Sequence, residues 1–380
     1  MSATPALAQL AILTLVAWGV RRKWLRPAPS QTAAGAIVMA CGIFVMAAAQ
    51  NIPAPLQPAV QLISVGLLVV WGFIAASFAT SAVQGRLASH TGKPVDAFAV
   101  GTWVAGTAVM ARVLLLGVPA WRELAVFLCV LAFVLWLGYL KLVWRGFRAI
   151  LASPARLNVT GRILLATVST QSIVLLAWHL WPDAGRLRVP ATALIVAGYL
   201  LYGLGLVLIV QRYRRSARWN LADDWDNTNC IVHGAMSITG LAVAYTGLLP
   251  AGIGTGTWLY VLLMLLFVEA VEVARLLQRV RARGVRAGAL TYHVSQWSRN
   301  FTFGMFYAFT QAQAPSLATT PALAGLMPLV NGILAVGPLI VLAFLLVELG
   351  LWFSAQALPA AGPAKPACPI VNEQLKEQRP

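Results

Sequence analysis

Residues 123–143 read ELAVFLCVLAFVLWLGYLKLV, and residues 158–176 read NVTGRILLATVSTQSIVLL. Each is long enough and apolar enough to cross a bilayer, which takes about 20 residues of helix. They differ in kind. The first is bulky and rich in leucine, and the second is small and carries hydroxyls. The same contrast runs through the chain. Small, polar stretches occur at 32–50 (TAAGAIVMACGIFVMAAAQ), 98–111 (FAVGTWVAGTAVMA), 158–176, 227–247 (NTNCIVHGAMSITGLAVAYTG) and 297–314 (WSRNFTFGMFYAFTQAQA). Leucine-rich spans such as 258–273 (WLYVLLMLLFVEAVEV) separate them. Small residues let membrane helices approach closely, and hydroxyls are costly to turn toward lipid. The alternation therefore predicts five helical hairpins, each with one polar inner helix and one greasy outer helix.

Composition agrees with an all-α polytopic membrane protein. Of 380 residues, 59% are hydrophobic and only 10% charged, where a soluble domain carries about 25% charge, and the mean hydropathy is +0.77. Helices are expected because lipid cannot satisfy open backbone groups. Eleven apolar spans are readable, at 4–20, 33–50, 56–80, 98–117, 123–143, 160–181, 190–211, 228–249, 256–278, 297–314 and 325–354. Residues 1–29 read as an extra N-terminal transmembrane helix with a basic cytoplasmic loop. Residues 30–354 read as the ten-helix domain, and the Pro-containing stretch 355–380 as a disordered cytoplasmic tail.

The net charge of +17 does not indicate nucleic acid, because the basic residues lie in short loops. One alternating set of loops holds twenty Lys and Arg, including Arg21, Arg22, Lys23, Arg86, Lys93, Arg145, Arg162, Arg212 and Arg283. The other holds three, Arg122, Arg186 and Arg188. The positive-inside rule places the first set and the C-terminus in the cytoplasm. The expected location is the cell membrane, multi-pass, in a bacterial cytoplasmic membrane. Cys41, Cys129, Cys230 and Cys368 are scattered with no CxxC, and no two histidines share a helix, so neither a disulfide framework nor a haem or metal centre is expected. ADDWDNTN (222–229) lacks the glycine and distant glutamate of a calcium loop and reads as a helix start capped by Asp226 or Thr228. GIGTG (252–256) follows no strand and is not a nucleotide loop.

Helical projection sorts the polar spans. At 100° per residue, Thr160, Thr167, Thr170 and Gln171 share a sector of roughly 100°, which reads as a watery or ligand-lined stripe or as tight packing. With Phe301 at 0°, Ser298, Gly304, Met305, Ala308 and Ala312 lie within about 60° of it, and Phe303, Phe306, Tyr307 and Phe309 fall on the other side. Phe301 is thus the lone ring on a small-residue stripe, where it either plugs a passage or fills a gap between helices. Charge inside spans is costly and marks candidates. Arg112 either draws anions into an outer vestibule or snorkels to the interface. Arg299 either draws anions from below or neutralises Glu269 or Glu272. Those two glutamates either pair with arginine or carry protons.

Five short motifs resemble the tellurite-resistance/dicarboxylate transporter family, which includes bacterial tellurite-resistance channels, fungal malate and sulfite transporters and plant slow-type anion channels. They are AIVMACGI (36–43), FAVGTWVAGTAVM (98–110), ATVSTQSIVLLA (166–177), HGAMSIT (233–239) and WSRNFTFGM (297–305), in family order and all on polar spans. The resemblance covers roughly residues 33–354. It implies a ten-helix anion channel or transporter in which five inner helices line one pore, assembled as a homotrimer. No cofactor is expected. It implies a phenylalanine gate at Phe301, with Phe303 as the neighbouring register. Gly42, Gly106, Thr160, Thr167, Thr170, Gln171, Gly234, Ser237, Ser298 and Gly304 are the expected lining. The family proline is Thr302 here, Arg299 and Asn300 replace apolar residues, and His233 replaces a methionine. Transport of small inorganic anions or mono- and dicarboxylates is the leading expectation. Proton-coupled export of sulfite or a C4-dicarboxylate through Glu269 or Glu272 is the alternative within transport, and a membrane-bound redox enzyme the alternative of another class.

Overall fold

The computed structural model describes residues 3–24, 29–52, 59–152, 159–215 and 220–357. Arg26, Arg156, Arg218, Cys368 and most of the expected tail lie outside the described residues. Every regular element among the described residues is helical. The long helices are α1 (Ala3–Trp24), α2 (Thr32–Asn51), α3 (Ala59–Val83), α4 (Asp96–Gly117), α5 (Arg122–Ala152), α6 (Gly161–Leu180), α7 (Arg188–Arg215), α8 (Ile231–Thr246), α9 (Ala251–Gly288), α10 (Trp297–Ala318) and α11 (Met327–Ala357). Seven of them, α2 to α7 and α11, are long and apolar enough to cross a membrane. The other four also occupy expected spans: α1 ends in Arg21, Arg22 and Lys23, α8 has 16 residues and contains His233, α9 runs into a basic C-terminal half, and α10 carries Arg299 and Asn300.

The two sequence classes separate by burial. The apolar windows of α2, α4 and α6 are 72%, 78% and 83% buried, against 39%, 33%, 33% and 22% for α3, α5, α7 and α11. Every residue of α8 from Ile231 to Val243 is buried, and so is nearly all of α10 from Trp297 to Thr310. The polar helices contact one another in sequence, α2 on α4, α4 on α6, α6 on α8 and α8 on α10, and α10 returns to α2. On the outside, large apolar side chains stand exposed in rows: Phe127, Val130 and Val134 on α5, Val189, Leu200 and Val207 on α7, Leu263, Leu266 and Phe267 on α9, Leu346, Val347 and Phe353 on α11. Water-soluble monomers rarely expose such continuous apolar patches. Hydrocarbon is the solvent this exterior fits. α1 packs on α3, where Gln61 Nε2 donates to Gln9 Oε1 over 3.1 Å.

The polar helices share one local design. Each is entered through a 3₁₀ turn, and the turns begin at Thr32, Asp96, Gly161, Asn227 and Val294, 64 to 67 residues apart. Regular spacing of one supersecondary unit is an internal repeat. The turns solve a local problem, since the first N–H groups of a helix lack intrahelical partners. Side chains of Thr160, Asp226 and His293 accept from the backbone N–H groups of Arg162, Thr228 and Ser295. A second recurring device ties outer to inner helices. Trp71, Trp136 and Trp258 each donate an indole N–H, to Thr107, Thr170 and Thr310 respectively, over 3.1, 3.1 and 2.9 Å.

Candidate functional site

Glycine sets how closely the polar helices approach. A Cβ on Gly35 would stand 2.2 Å from the Thr102 carbonyl oxygen, one on Gly42 2.2 Å from Val109, one on Gly234 2.1 Å from Thr302 and one on Gly304 2.5 Å from Ile43. Gly106 faces the Gly35 carbonyl oxygen at 3.0 Å on the same criterion. These glycines are spent on helix crossings.

At the middle of the five helices lies a void of about 10 Å³, lined by Ile43 and Met46 of α2, Ala108, Val109 and Arg112 of α4, Ser172 and Leu175 of α6, Ile238 of α8 and Met305 of α10. That volume is at the threshold for a single water molecule. Ile43, Ala108, Ser172, Ile238 and Met305 each lie eleven or twelve residues after the start of their own entry turn. Equivalent positions of five repeats therefore meet about midway along their helices. α2 changes to π-helical winding at Phe44–Ala48, just where it borders the void. Such single-turn π segments recur at functional sites. Phe301, one turn from Met305 toward the entry end, is buried at 2% exposure.

The entry end is different. A cavity of about 550 Å³ opens there, lined by Asp96, Thr160, Arg162, Asp226, His293 and Ser295 of the entry turns, together with Lys93, Arg212, Asp223, Asp224, Asn227 and Arg275. Arg162 lies between two carboxylates: it pairs with Asp96, and its Nη2 is 3.8 Å from Asp226 Oδ2. Arg212 donates to the carbonyl oxygens of Val159 and Asp224 over 2.8 and 3.1 Å. Four lysines and arginines and four aspartates line the cavity, so the mouth is charge-balanced rather than uniformly basic.

The residues singled out from sequence fall into three groups. Arg112 borders the central void, with its guanidinium carbon 5.9 Å from the Tyr245 ring centroid and its Nε without a hydrogen-bond partner. Thr160 lines the mouth and accepts from the Thr228 hydroxyl. Thr167, Thr170 and Gln171 bond toward the flanking helices instead: Thr167 to the Gly198 carbonyl, Thr170 to Trp136, and Gln171 Nε2 to the Leu194 carbonyl at 2.9 Å. Ser237 bonds back to the His233 carbonyl, and Ser298 is buried.

The opposite face of α10 holds the remaining candidates. Arg299 pairs with Glu269, and its Nη1 is 4.0 Å from Glu272 Oε2. Glu272 also accepts from Trp225 Nε1 at 2.7 Å and from Arg275 at 3.4 Å, and Arg275 reaches Asn227 at 2.6 Å. Phe303 packs against the Phe344 ring at 4.9 Å and edge-on to His233 at 6.0 Å. His233 is fully buried, and neither ring nitrogen has a hydrogen-bond partner. Phe303 thus belongs with Arg299, away from Phe301. Arg162 at the mouth, which the sequence places only among the basic loop residues, Ile238 at the void, and Glu348, a buried acid on α11, are not among the site candidates read from the sequence. Glu348 left a signal, as a lone carboxylate in a leucine-rich span. Ile238 left none, because a buried isoleucine looks the same wherever it points. Among the described residues, no three His, Cys, Asp or Glu side chains converge as metal ligands.

No protein-family model matches the chain, and no curated protein matches it.

Proposed function

We propose that this chain passes small anions, inorganic or carboxylate, across a membrane along the axis where α2, α4, α6, α8 and α10 meet. The observation that carries the reading is the meeting of equivalent repeat positions, Ile43, Ala108, Ser172, Ile238 and Met305, around one void. A closed ring of five polar helices inside greasy ones has an axis, and only at that axis can five repeats contribute the same position. In this reading each polar helix and its leucine-rich neighbour form one of five hairpins, and the motif likeness makes the chain a distant relative of the tellurite-resistance/dicarboxylate transporters, assembled as a homotrimer. In this reading the positive-inside rule turns the mouth and the C-terminus toward the cytoplasm, and the membrane is that of a bacterial cell.

The chemistry follows from where charge stands. Paired arginines and aspartates at the mouth give an entering ion polar partners without a deep electrostatic trap. Beyond it, Met305, Ile43 and Ile238 border the void and Phe301 stands one turn closer to the mouth, an apolar constriction of the kind that blocks ions by excluding water. Arg112, on the far side and with no ion pair among the described residues, supplies the positive charge that favours anions over cations. A proton-coupled route through Glu269 or Glu272 would have to break the pairs those carboxylates make with Arg299 and Arg275.

The test is flux in proteoliposomes over chloride, nitrate, sulfite, malate and tellurite. Phe301→Ala is expected to raise flux of at least one of these anions, and Phe303→Ala to leave it unchanged. A folded Phe301→Ala protein with unaltered flux for all five removes the ring from the path. Absence of flux in every variant removes transport altogether.

A further inference from the structure

α11 contains a single charged residue, Glu348, within VLAFLLVELGLWF (341–353). It shares an inward stripe with Val341 and Leu345, all three buried, while Leu346, Val347 and Phe353 face outward. Glu348 is 5% exposed, and its Oε1 has no hydrogen-bond partner. It lies nine residues before the helix end at Ala357, about 13 Å along the axis at 1.5 Å per residue. It therefore lies inside the apolar span, between two and three turns from the helix end.

Its neighbours do not neutralise it. α11 packs chiefly on α10, on the Phe44–Ala48 segment of α2 and on the turn Pro321–Leu326. The last two contain no titratable side chain. From α10, Arg299 stands 5.8 Å from the ring of Phe344, one turn before Glu348, but its guanidinium is committed to Glu269 and Glu272. Tyr307, the other titratable group on α10, packs against Gly337, three turns away. Tyr292, in the connector before α10, is near enough to feel the Glu348 charge, and its hydroxyl accepts from Trp297 Nε1 at 3.1 Å. A phenol carries no positive charge. The three acids of this region therefore divide: half-buried Glu269 and buried Glu272 are ion-paired, and buried Glu348 is in no ion pair among the described residues.

We propose that Glu348 is a proton-binding site on the buried face of α11, able to hold a proton there and to release it. An unpaired carboxylate in hydrocarbon is far costlier than the acid, whereas an arginine partner would favour the ion. The inference is independent of the anion-passage reading, and its test involves no transport.

A protonated carboxyl in an apolar site reacts with dicyclohexylcarbodiimide. The carboxyl oxygen bonds to the central carbon, and the acid's proton goes to one carbodiimide nitrogen. The resulting O-acylisourea rearranges to a stable N-acylurea. Full-length protein would be treated in detergent micelles or vesicles and the adduct mapped by mass spectrometry. The expected result is an adduct on Glu348, with a yield that falls between about pH 6 and about pH 10, tenfold per unit once above the carboxyl's midpoint. Glu348→Gln, which keeps the shape of the acid, should lose it, and Glu269→Gln and Glu272→Gln should keep it. No adduct on Glu348 in monodisperse protein, an adduct on Glu269 or Glu272 in its place, or a yield at pH 10 equal to that at pH 6 would each overturn the proposal.

Discussion

The middle of the five-helix ring and its entry end are built by the same helices, yet they differ in every physical respect. At the middle, equivalent positions hold Ile43, Ala108, Ser172, Ile238 and Met305 around about 10 Å³. At the entry, four of the repeats contribute Asp96, Arg162, Asp226 and His293 to a cavity of about 550 Å³. Helix geometry accounts for the division. Entry turns have N–H groups to satisfy and reach water, so they recruit polar caps and tolerate ion pairs. Midpoints have their backbone bonds complete and lie deep in the bundle, so a polar group there must find a protein partner: Thr167 and Gln171 reach carbonyls of α7, and Ser172 bonds back to the Val168 carbonyl of its own helix. The comparison teaches that one repeat can supply both a charged cavity at its start and a tight, mostly apolar junction at its middle, because position along the helix decides what chemistry is tolerated.

The largest expected effect comes from erasing the middle's half of the contrast. Met305→Ala together with Ile238→Ala removes two apolar side chains from the constriction and should raise anion flux by about tenfold or more if water exclusion forms the barrier. If flux stays at the parental level while Phe301→Ala raises it, the barrier is the ring alone, and the junction is only packing.

The entry end is broken more economically. A Cβ on Gly161 would lie 2.0 Å from the Thr228 carbonyl oxygen, a backbone atom that cannot rotate away, and the Gly161 N–H donates to Asn229 Oδ1 at 2.9 Å. Gly161→Ala should therefore force the starts of α6 and α8 apart at a cost of about 1–3 kcal/mol, typical of overpacking. Thermal unfolding in detergent measures it. Gly185→Ala, where nothing lies within 4 Å, is the control and should unfold with the parent. Equal midpoints for the two variants would mean that the entry turns are looser than this approach implies.

How much of this was legible beforehand depends on the length scale of the signal. The two helix classes could be read because bulk and hydroxyl content vary over about 20 residues, and burial follows the same division: 83% for the window of α6 and 33% for that of α5. The direction of a single side chain is a finer matter. The sector holding Thr167, Thr170 and Gln171 projects as one stripe, but the structure aims it at Trp136, Gly198 and Leu194 of the flanking helices. A helical wheel gives relative angles and not the partner at each angle. Charge was harder still. Arg299 could be read equally as an anion lure or as a neutraliser of Glu269, and only the third dimension shows the pair. The repeat of 64 to 67 residues was hidden because its shared feature is the 3₁₀ entry turn, which very different residues encode.

A smaller effect tests whether the repeats are mechanically alike. Thr107, Thr170 and Thr310 each accept an indole N–H from an outer helix and donate to the carbonyl one turn back. Valine has the same shape and neither function, so Thr→Val at each should cost about 1 kcal/mol, near the scale of interhelical hydrogen bonds in membranes. Similar losses at all three sites would mark one device used three times. A loss confined to Thr310, whose partner Trp258 is fully buried, would leave the other two as incidental contacts.

The smallest effect concerns His293 at the mouth, outside the membrane-spanning helices. Burial depresses its proton affinity below the ordinary value of 6.5; the Asp226 carboxylate opposes this and the Arg162 guanidinium adds to it. Its Nδ1 also accepts the Ser295 N–H at 3.2 Å, which caps the turn into α10 and requires a bare nitrogen. A base whose folded-state affinity is lowered binds more protons when unfolded, so its contribution to stability is complete above pH 6.5 and is lost as pH falls through the depressed folded value. His293→Asn retains a capping acceptor but cannot titrate. Unfolding midpoints should coincide with the parent near pH 8 and lie above it near pH 5. A variant that tracks the parent at both would mean that His293 takes up its proton as readily in the folded protein as in the unfolded chain, and the entry end would then be set by the Asp96–Arg162–Asp226 pairs alone.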